Sequence, residues 1–134
     1  VIDYEPLIFL KNPQMMNDQG INLLYNATDI GINTCDGEGH GLCNIEHAYL
    51  GKPQIISSVG GLRHIFSGKS GHYLLEPRTE YFVEDSRDFI GGCAELVNKY
   101  DVSEAIIGAL SDENEIESID LWSWELVVEK LFDS

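Results

Sequence analysis

The residues best suited to chemistry lie in the glycine-rich stretch 38–46. In it, Gly39 and Gly41 flank His40, and an apolar helical pattern begins at Leu42. A loop that enters a helix in this way presents free backbone N–H groups, which carry partial positive charge and bind anions. Glycine at 39 and 41 leaves no Cβ between the backbone and a ligand. The stretch therefore predicts an anion site at the start of a helix.

Two carboxylates flank this predicted anion site. Glu38 precedes it, and Glu46 lies about one turn inside the helix, with seven residues between the two. Because a carboxylate repels a phosphate, both are expected to accept hydrogen bonds from hydroxyl groups on either side of the anion. A diphosphate with hydroxylated rings on both sides fits this arrangement. The helix is apolar at most other positions, which predicts that it is sandwiched, that Cys43 is buried and that Glu46 is buried and needs a partner.

Strand and helix patterns alternate through residues 7–75. The sequence predicts strands at 7–10, 29–33, 54–57 and 72–75, and helices from Asn17 or Asp18 through Tyr25, over 42–50 and over 62–66, with Gly60 and Gly61 in a turn. Such an alternation with short loops is typical of an α/β, Rossmann-like, doubly wound parallel sheet. Sheets of this kind bind ligands at the carboxyl ends of their strands.

The pattern is less regular beyond residue 76. Residues 81–92 are compatible with an excursion or a hairpin, and 95–109 contain a helical pattern. Residues 111–115 form a polar, acidic turn. The segment 119–132 is predicted to be a final helix, because it carries an apolar stripe formed by Leu121, Trp124, Val128 and Leu131.

Composition excludes several classes of function. The chain has 134 residues with 43% hydrophobic residues, enough for one packed domain, and its formal net charge is −15. Residues 76–134 hold 16 acidic and 4 basic side chains, against 7 and 4 in residues 1–75. Such a charge argues against nucleic acids and anionic membranes as partners. No apolar run approaches the ~20 residues that span a bilayer.

Cysteine and histidine usage bears on location and on metals. The three cysteines contain no C-x-x-C pair, which argues against a disulfide framework or a zinc site and favours a reducing, cytoplasmic setting. The four histidines do not lie at metal-ligand spacings with nearby carboxylates. The sequence therefore predicts neither a metal nor a cofactor.

Several segments resemble the retaining glycosyltransferases of family 4. They are 24–30, 38–46, 51–53 and 60–61, and the spacing of Glu38 and Glu46 is the signature of that family. The resemblance implies a GT-B architecture, in which two Rossmann-like domains face each other across a cleft. Residues 1–134 would then be the C-terminal, donor-binding domain, with 76–100 as an insertion atypical of the family.

The resemblance also implies roles for individual residues. Glu38 would be the catalytic residue at the transferred sugar, and Glu46 would bind the ribose hydroxyls of the nucleotide. Backbone N–H groups around His40, Gly41 and Leu42, with Gly39 beside them, would hold the β-phosphate or the sugar. His40 departs from the phenylalanine that is usual in the family.

Three further residues are assigned to the donor pocket by the same resemblance. Met16 falls where family members contact the base through backbone atoms, and Gly60 and Gly61 would border the pocket. Family members also neutralise the diphosphate with an arginine and a lysine that precede the first strand. Residues 1–6 contain neither and the chain begins at Val1, so we expect a fragment of a longer enzyme.

The implied partners are a nucleotide-diphospho-sugar and an N-terminal, acceptor-binding domain of the same chain. Two alternatives remain open at this point. One is a nucleotide-sugar epimerase of the same architecture, which lacks the two-glutamate spacing. The other is a non-catalytic module that keeps the fold and binds the nucleotide sugar.

Overall fold

The described part of the chain, residues 16–85, 90–112 and 115–119 of the computed structural model, is built on a three-stranded parallel sheet. Strands β1 (Gly31–Asn33), β2 (Gln54–Ser57) and β3 (Tyr73–Leu75) lie side by side in chain order. The register pairs Ile32 with Ile55 and Ile56 with Leu74. The predicted α/β class and parallel pairing are confirmed, and the arrangement is compatible with a Rossmann-like fold. The strand predicted at 7–10 lies outside the described residues.

The described residues form four helices, and the helix ends follow local signals. They are α1 (Asp18–Ala27), α2 (Leu42–Tyr49), α3 (Gly60–Phe66) and α4 (Lys99–Ser111). The side chain of Asn17 caps α1 by accepting from the Gly20 N–H at 2.9 Å, and Asn98 caps α4 in the same way. Gly51, with a φ of +73°, follows the end of α2. Gly60 and Gly61 were predicted to form a turn, which is wrong, because they are the first two residues of α3.

The core lies on both faces of β2, whose four residues are all buried. On one face, Ile56 packs with Ile45 and Ala48 of α2, with two residues of α3 and with Ile119. On the other face, Ile55 packs with Leu75 and with Ala105 of α4. A strand covered on both sides and rich in isoleucine is typical of a parallel α/β sheet.

Residues 76–100 contain a two-stranded antiparallel hairpin and the start of α4. Its strands are β4 (Thr79–Asp85) and β5 (Ile90–Leu96), and the register pairs Tyr81 with Ala94 and Phe82 with Cys93. Of the two possibilities predicted for 81–92, the hairpin is therefore the one observed, and it is longer than predicted. The final helix predicted over 119–132 lies outside the described residues except for Ile119.

Candidate functional site

The loop from β1 to α2 ends at an exposed helix N-terminus. Gly41 is the N-cap of α2 with a φ of +74°, and its carbonyl accepts from the N–H groups of Asn44 and Ile45 at 3.0 and 3.1 Å. Within the described part of the chain, the N–H groups of Leu42 and Cys43 have no acceptor. These two donors, together with the positive end of the helix dipole, suit an anion at this position.

The same loop packs closely on the start of α3, and glycines make that contact possible. The Gly61 N–H donates to the Glu38 carbonyl at 3.1 Å. A Cβ at Gly60 would collide with the carbonyl oxygen of Glu38, and one at Gly61 with that of Gly39. A Cβ at Gly41 would collide with the side chain of Leu62. Gly41 is thus required by packing, not by ligand access, whereas Gly39 faces open space.

This difference between the glycines gives a stability prediction. Gly60→Ala is expected to lower the free energy of unfolding by about 2 kcal/mol, because the methyl group meets backbone atoms and Gly60 has a positive φ. Gly39→Ala is the matched control and should change it by less than about 0.5 kcal/mol, since no atom lies near its Cβ position. Urea denaturation measures both values. A Gly60→Ala protein as stable as Gly39→Ala would contradict the packing described here.

Glu38 is half-buried and is fastened within its own loop. Its Oε1 accepts from the His40 N–H at 3.3 Å, and its Cγ lies 3.6 Å from the Cβ position of Gly41. The side chain of His40 is exposed. The structure therefore brings together most of the residues selected from the sequence, at the carboxyl ends of β1 and β2: Glu38, Gly39, His40, Gly41, Leu42, Gly60 and Gly61.

Glu46 has different surroundings, in a groove between α1 and α2. Its Oε2 accepts from the Tyr25 hydroxyl at 3.1 Å. The groove has a volume of about 330 Å³, and its other lining residues are Asp18, Ile21, Asn22, Tyr49 and Leu50. Burial, then contact with Cys43 and Glu46, raises the pKa of Tyr25 above its ordinary value, so its hydroxyl stays protonated and donates to Glu46.

The outward face of α2 corrects two expectations. Cys43 is exposed and Leu42 is 61% exposed, so the helix is not sandwiched and Cys43 is not a buried residue. Glu46 is exposed as well, although it has the partner described above. Asn44, Ile45, His47 and Ala48 form the buried side, which is the face toward the sheet.

Met16 lies just before the N-cap of α1. It is 42% exposed, and its Cβ lies 3.4 Å from the Cβ position of Gly20 in the first turn of the helix. Among the described residues, the Met16 side chain makes no hydrogen bond and no ring contact. Its predicted contact with a base stays a prediction.

The β4–β5 hairpin holds the loop between β1 and α2 in place, and these contacts were not predicted from the sequence. The Glu95 N–H of β5 donates to the Asp36 carbonyl at 2.9 Å, and the Tyr81 hydroxyl of β4 donates to the Asp36 carboxylate. Glu95 also pairs with Arg63 of α3 at 3.2 Å, and Arg63 Nε donates to the Ser58 carbonyl at 2.8 Å. The loop is consequently held between α3 and the hairpin. Only the pairing of distant segments reveals these contacts.

Removing the Tyr81 hydroxyl tests the bracing. Tyr81→Phe is expected to speed amide hydrogen exchange at His40 and Gly61, whose N–H groups donate to Glu38, by about threefold, because one hydrogen bond to the loop is lost. Tyr100→Phe is the matched control, since Tyr100 is 65% exposed and lies on α4. Equal exchange rates in the two variants would show that the hairpin does not restrain the loop.

The described residues contain no group of three or more histidine, cysteine, aspartate or glutamate side chains that could hold a metal ion. No helix among them has the length and apolarity needed to cross a membrane. No model of a known protein family matches the sequence, and no curated protein matches it either.

Proposed function

We propose that this chain binds the nucleotide-diphospho-sugar donor of a retaining glycosyl transfer, as the donor-binding domain of a two-domain GT-B enzyme. The observation that carries the proposal is the N-terminus of α2. Its two unpaired N–H groups, at Leu42 and Cys43, are flanked by one carboxylate in the preceding loop and another on the helix. A diphosphate between two hydroxylated rings has the charge and donor pattern that such a site requires.

The positions of the two glutamates support separate roles. Glu38 is in the loop that precedes the helix terminus, whereas Glu46 is four residues beyond Leu42, about 6 Å further along the helix axis. A ligand whose phosphates lie at the terminus would therefore reach the two carboxylates with different ends. We assign Glu38 to the transferred sugar and Glu46 to the ribose.

The proposed chemistry needs few groups from this domain. The bond between the anomeric carbon and the leaving phosphate oxygen breaks, and the bond to the oxygen of an acceptor hydroxyl forms with retained configuration. The proton of that hydroxyl passes to the departing diphosphate. The sugar becomes oxocarbenium-like while the diphosphate gains negative charge. The N–H groups of α2 stabilise the leaving diphosphate, and the Glu38 carboxylate orients a sugar hydroxyl and balances the positive ring.

Other parts of the proposal concern partners and setting. The acceptor is held by a second, N-terminal domain of the same enzyme, and no metal takes part. Cys35, Cys43 and Cys93 are free, which fits a reducing, cytoplasmic setting. Because acceptor binding belongs to the other domain, the 134-residue chain is expected to bind the donor without transferring its sugar.

One observation favours a second candidate, a non-catalytic module that binds nucleotide sugars. Glu38 already accepts a hydrogen bond from the His40 N–H, so its carboxylate also serves to hold the loop. In such a module the anion site and Glu46 would keep their roles, and Glu38 would have only the structural one.

A titration followed by backbone amide NMR tests the proposed site. UDP-glucose and GDP-mannose are added separately to the 134-residue chain, and the amides of Gly39, Leu42 and Cys43 are expected to shift the most. Shifts confined to other parts of the chain would contradict the assignment.

A glycosyl-transfer assay on the full-length protein then reads the anomeric configuration of the product. Binding with an epimerised sugar would support the epimerase, and binding with no turnover would support the module.

A further inference from the structure

A chain of buried polar side chains crosses the interface between α2 and the sheet. Asn44 Nδ2 donates to Gln54 Oε1 at 3.0 Å, and Gln54 Nε2 lies 3.1 Å from His47 Nδ1. These three residues are 6%, 0% and 4% exposed. Buried groups of this kind are costly unless every donor and acceptor is paired. A Cβ at Gly31 would collide with both Gln54 and His47, so glycine is needed there to admit the chain.

Backbone groups fix the two ends of the chain. At one end, the Cys35 N–H donates to Asn33 Oδ1 at 3.0 Å, and Asn33 Nδ2 then donates to Asn44 Oδ1 at 2.8 Å. At the other end, His47 Nε2 lies 3.1 Å from the Tyr25 carbonyl, which can only accept. A backbone N–H cannot accept and a carbonyl cannot donate, so the direction of every bond between them is determined.

This direction assigns the protonation state of His47. The Nε2 atom must carry the hydrogen that goes to the Tyr25 carbonyl, with Thr28 Oγ1 beside it at 3.0 Å. The Nδ1 atom must be bare to accept from the Gln54 NH₂ group. The carbonyls of Lys52 and Pro53 also lie 3.1 Å from Gln54 Nε2, so its two hydrogens are shared among three acceptors. His47 is therefore neutral when the chain of bonds is complete.

We propose that four buried side chains, those of Asn33, Asn44, Gln54 and His47, position the loop that bears Glu38. Adding a proton to His47 then breaks the chain of hydrogen bonds, frees the start of the loop at Cys35 and weakens donor binding. Only the effect on donor binding rests on the proposed function; the positioning of the loop does not. The loop begins immediately after Asn33, and the bond to the Cys35 N–H is the point at which the buried chain holds it. The four residues act through the loop and are positioning residues.

No orientation of the side-chain amides in this chain of hydrogen bonds can accommodate a second proton on His47. An Nδ1–H would face the Gln54 NH₂ group. If the Gln54 amide turned, its oxygen would face the carbonyl oxygens of Lys52 and Pro53. Its NH₂ group would then face the NH₂ group of Asn44. Turning Asn44 and Asn33 in response would end with the Asn33 NH₂ against the Cys35 N–H. Protonation therefore breaks the chain at one of its links.

The groups around His47 do not offset this effect. From α1, the Tyr25 ring stacks on the imidazole at 5.3 Å, and Thr28 contributes its hydroxyl and a backbone hydrogen bond that raises the pKa of His47 slightly. On α2, the Glu46 carboxylate is engaged by the Tyr25 hydroxyl, and Cys43 also interacts with Tyr25. Burial lowers the pKa of His47, the bond to the Tyr25 carbonyl opposes that shift, and the charge of Lys52 adds to it.

On the other side of Gln54, a second histidine contributes to the same region. His72, just before β3, accepts from the Gln54 N–H through Nδ1 at 3.2 Å and faces the Glu117 carbonyl through Nε2 at 2.8 Å. Burial lowers its pKa as well. Because a lowered pKa disfavours the charged form in the folded state, the positioning holds above the ordinary histidine pKa. It is lost as the pH falls through the lowered pKa of His47.

The first test needs no ligand. Long-range ¹⁵N NMR of wild-type imidazoles at about pH 7.5 is expected to show His47 as the Nε2–H tautomer. The protection factor of the Cys35 amide is expected to fall about tenfold between about pH 7.5 and about pH 5. The His47→Gln side chain keeps one acceptor and one donor but does not titrate, so in this variant the protection factor of the Cys35 amide should change by less than about twofold over the same pH range. His64→Gln, an exposed histidine on α3, should keep the wild-type pH response.

The second test measures donor affinity under the same conditions. The Kd of UDP-glucose for the wild-type chain is expected to rise about tenfold over this pH range, and that of His47→Gln by less than about twofold. An Nδ1–H tautomer, a constant Cys35 protection factor in wild type, or a wild-type response in His47→Gln would overturn the positioning role. If neither UDP-glucose nor GDP-mannose binds at either pH, the proposed function and the donor-affinity half of this proposal are wrong. The ligand-free result then still decides the positioning half.

Discussion

Under the proposed function, replacing Glu38 by glutamine is expected to lower the kcat of the two-domain enzyme about a hundredfold or more, which corresponds to about 3 kcal/mol of barrier. Glutamine keeps the shape and an oxygen that can accept from the His40 N–H at its present 3.3 Å, so the loop should retain its conformation. Only the negative charge is lost. That charge matters most when the transferred sugar is oxocarbenium-like, so the loss should appear in kcat rather than in ground-state binding.

Two comparisons make this expectation specific. The affinity for UDP should hardly change in Glu38→Gln, because UDP has no transferred sugar for residue 38 to contact. Glu104→Gln, which removes the same charge from an exposed position on α4, should leave kcat unchanged. If Glu38→Gln retained a kcat within about threefold of wild type, Glu38 would not be a catalytic residue and would serve only to hold the loop.

Elements with local signals were predicted well from the sequence. The cap at Asn17, the strand 54–57 and the helix that starts at Leu42 and ends before Gly51 all appear as predicted, within one or two residues. Each depends on a feature contained in a few adjacent residues, such as a capping side chain, a short β-branched run or a glycine after a helix. The grouping of Glu38 with residues 39–42 also follows from adjacency in the chain.

What the sequence did not reveal depends on contacts between distant segments. Gly60 and Gly61 have the composition of a turn, but they begin α3 and are glycine because the carbonyls of Glu38 and Gly39 leave no room for a Cβ. Cys43 was expected inside because its neighbours are apolar, yet the sheet covers only the other side of α2. The contacts of the hairpin with Asp36 could not be predicted, since neither partner carries a local signature of the other.

The combined contacts show a loop that is restrained from three directions. The start of α3 holds the Glu38 carbonyl, the hairpin holds Asp36, and the buried polar chain holds the Cys35 N–H. Fixing a loop costs conformational entropy, so a loop restrained in this way pays less of that cost when a ligand binds. Under the proposed function, the donor site is largely preformed. The glycines and asparagines around it are then explained by packing and positioning, and the two glutamates by contact with the ligand.

Replacing Glu46 by alanine is expected to weaken the binding of UDP by about 1–3 kcal/mol, which is about tenfold to a hundredfold in Kd. Hydrogen bonds from two ribose hydroxyls to a charged acceptor are lost, and alanine keeps the helical propensity of the position. Calorimetry with UDP measures the change. Inorganic pyrophosphate, which has no ribose, should bind the variant as it binds the wild type.

The contact between Glu46 and Tyr25 provides the control that separates a ligand role from a structural one. Tyr25→Phe removes the hydroxyl that donates to Glu46 and leaves the carboxylate in place. If Glu46 binds the ribose, Tyr25→Phe should keep the affinity for UDP within about threefold of wild type, because the carboxylate then has one competing donor fewer. If Glu46 serves only to hold α1 against α2, the two variants should lose affinity equally, and pyrophosphate binding should fall with them. Equal losses would therefore remove Glu46 from the ligand site and leave the anion-binding terminus of α2 as the remaining support for a nucleotide.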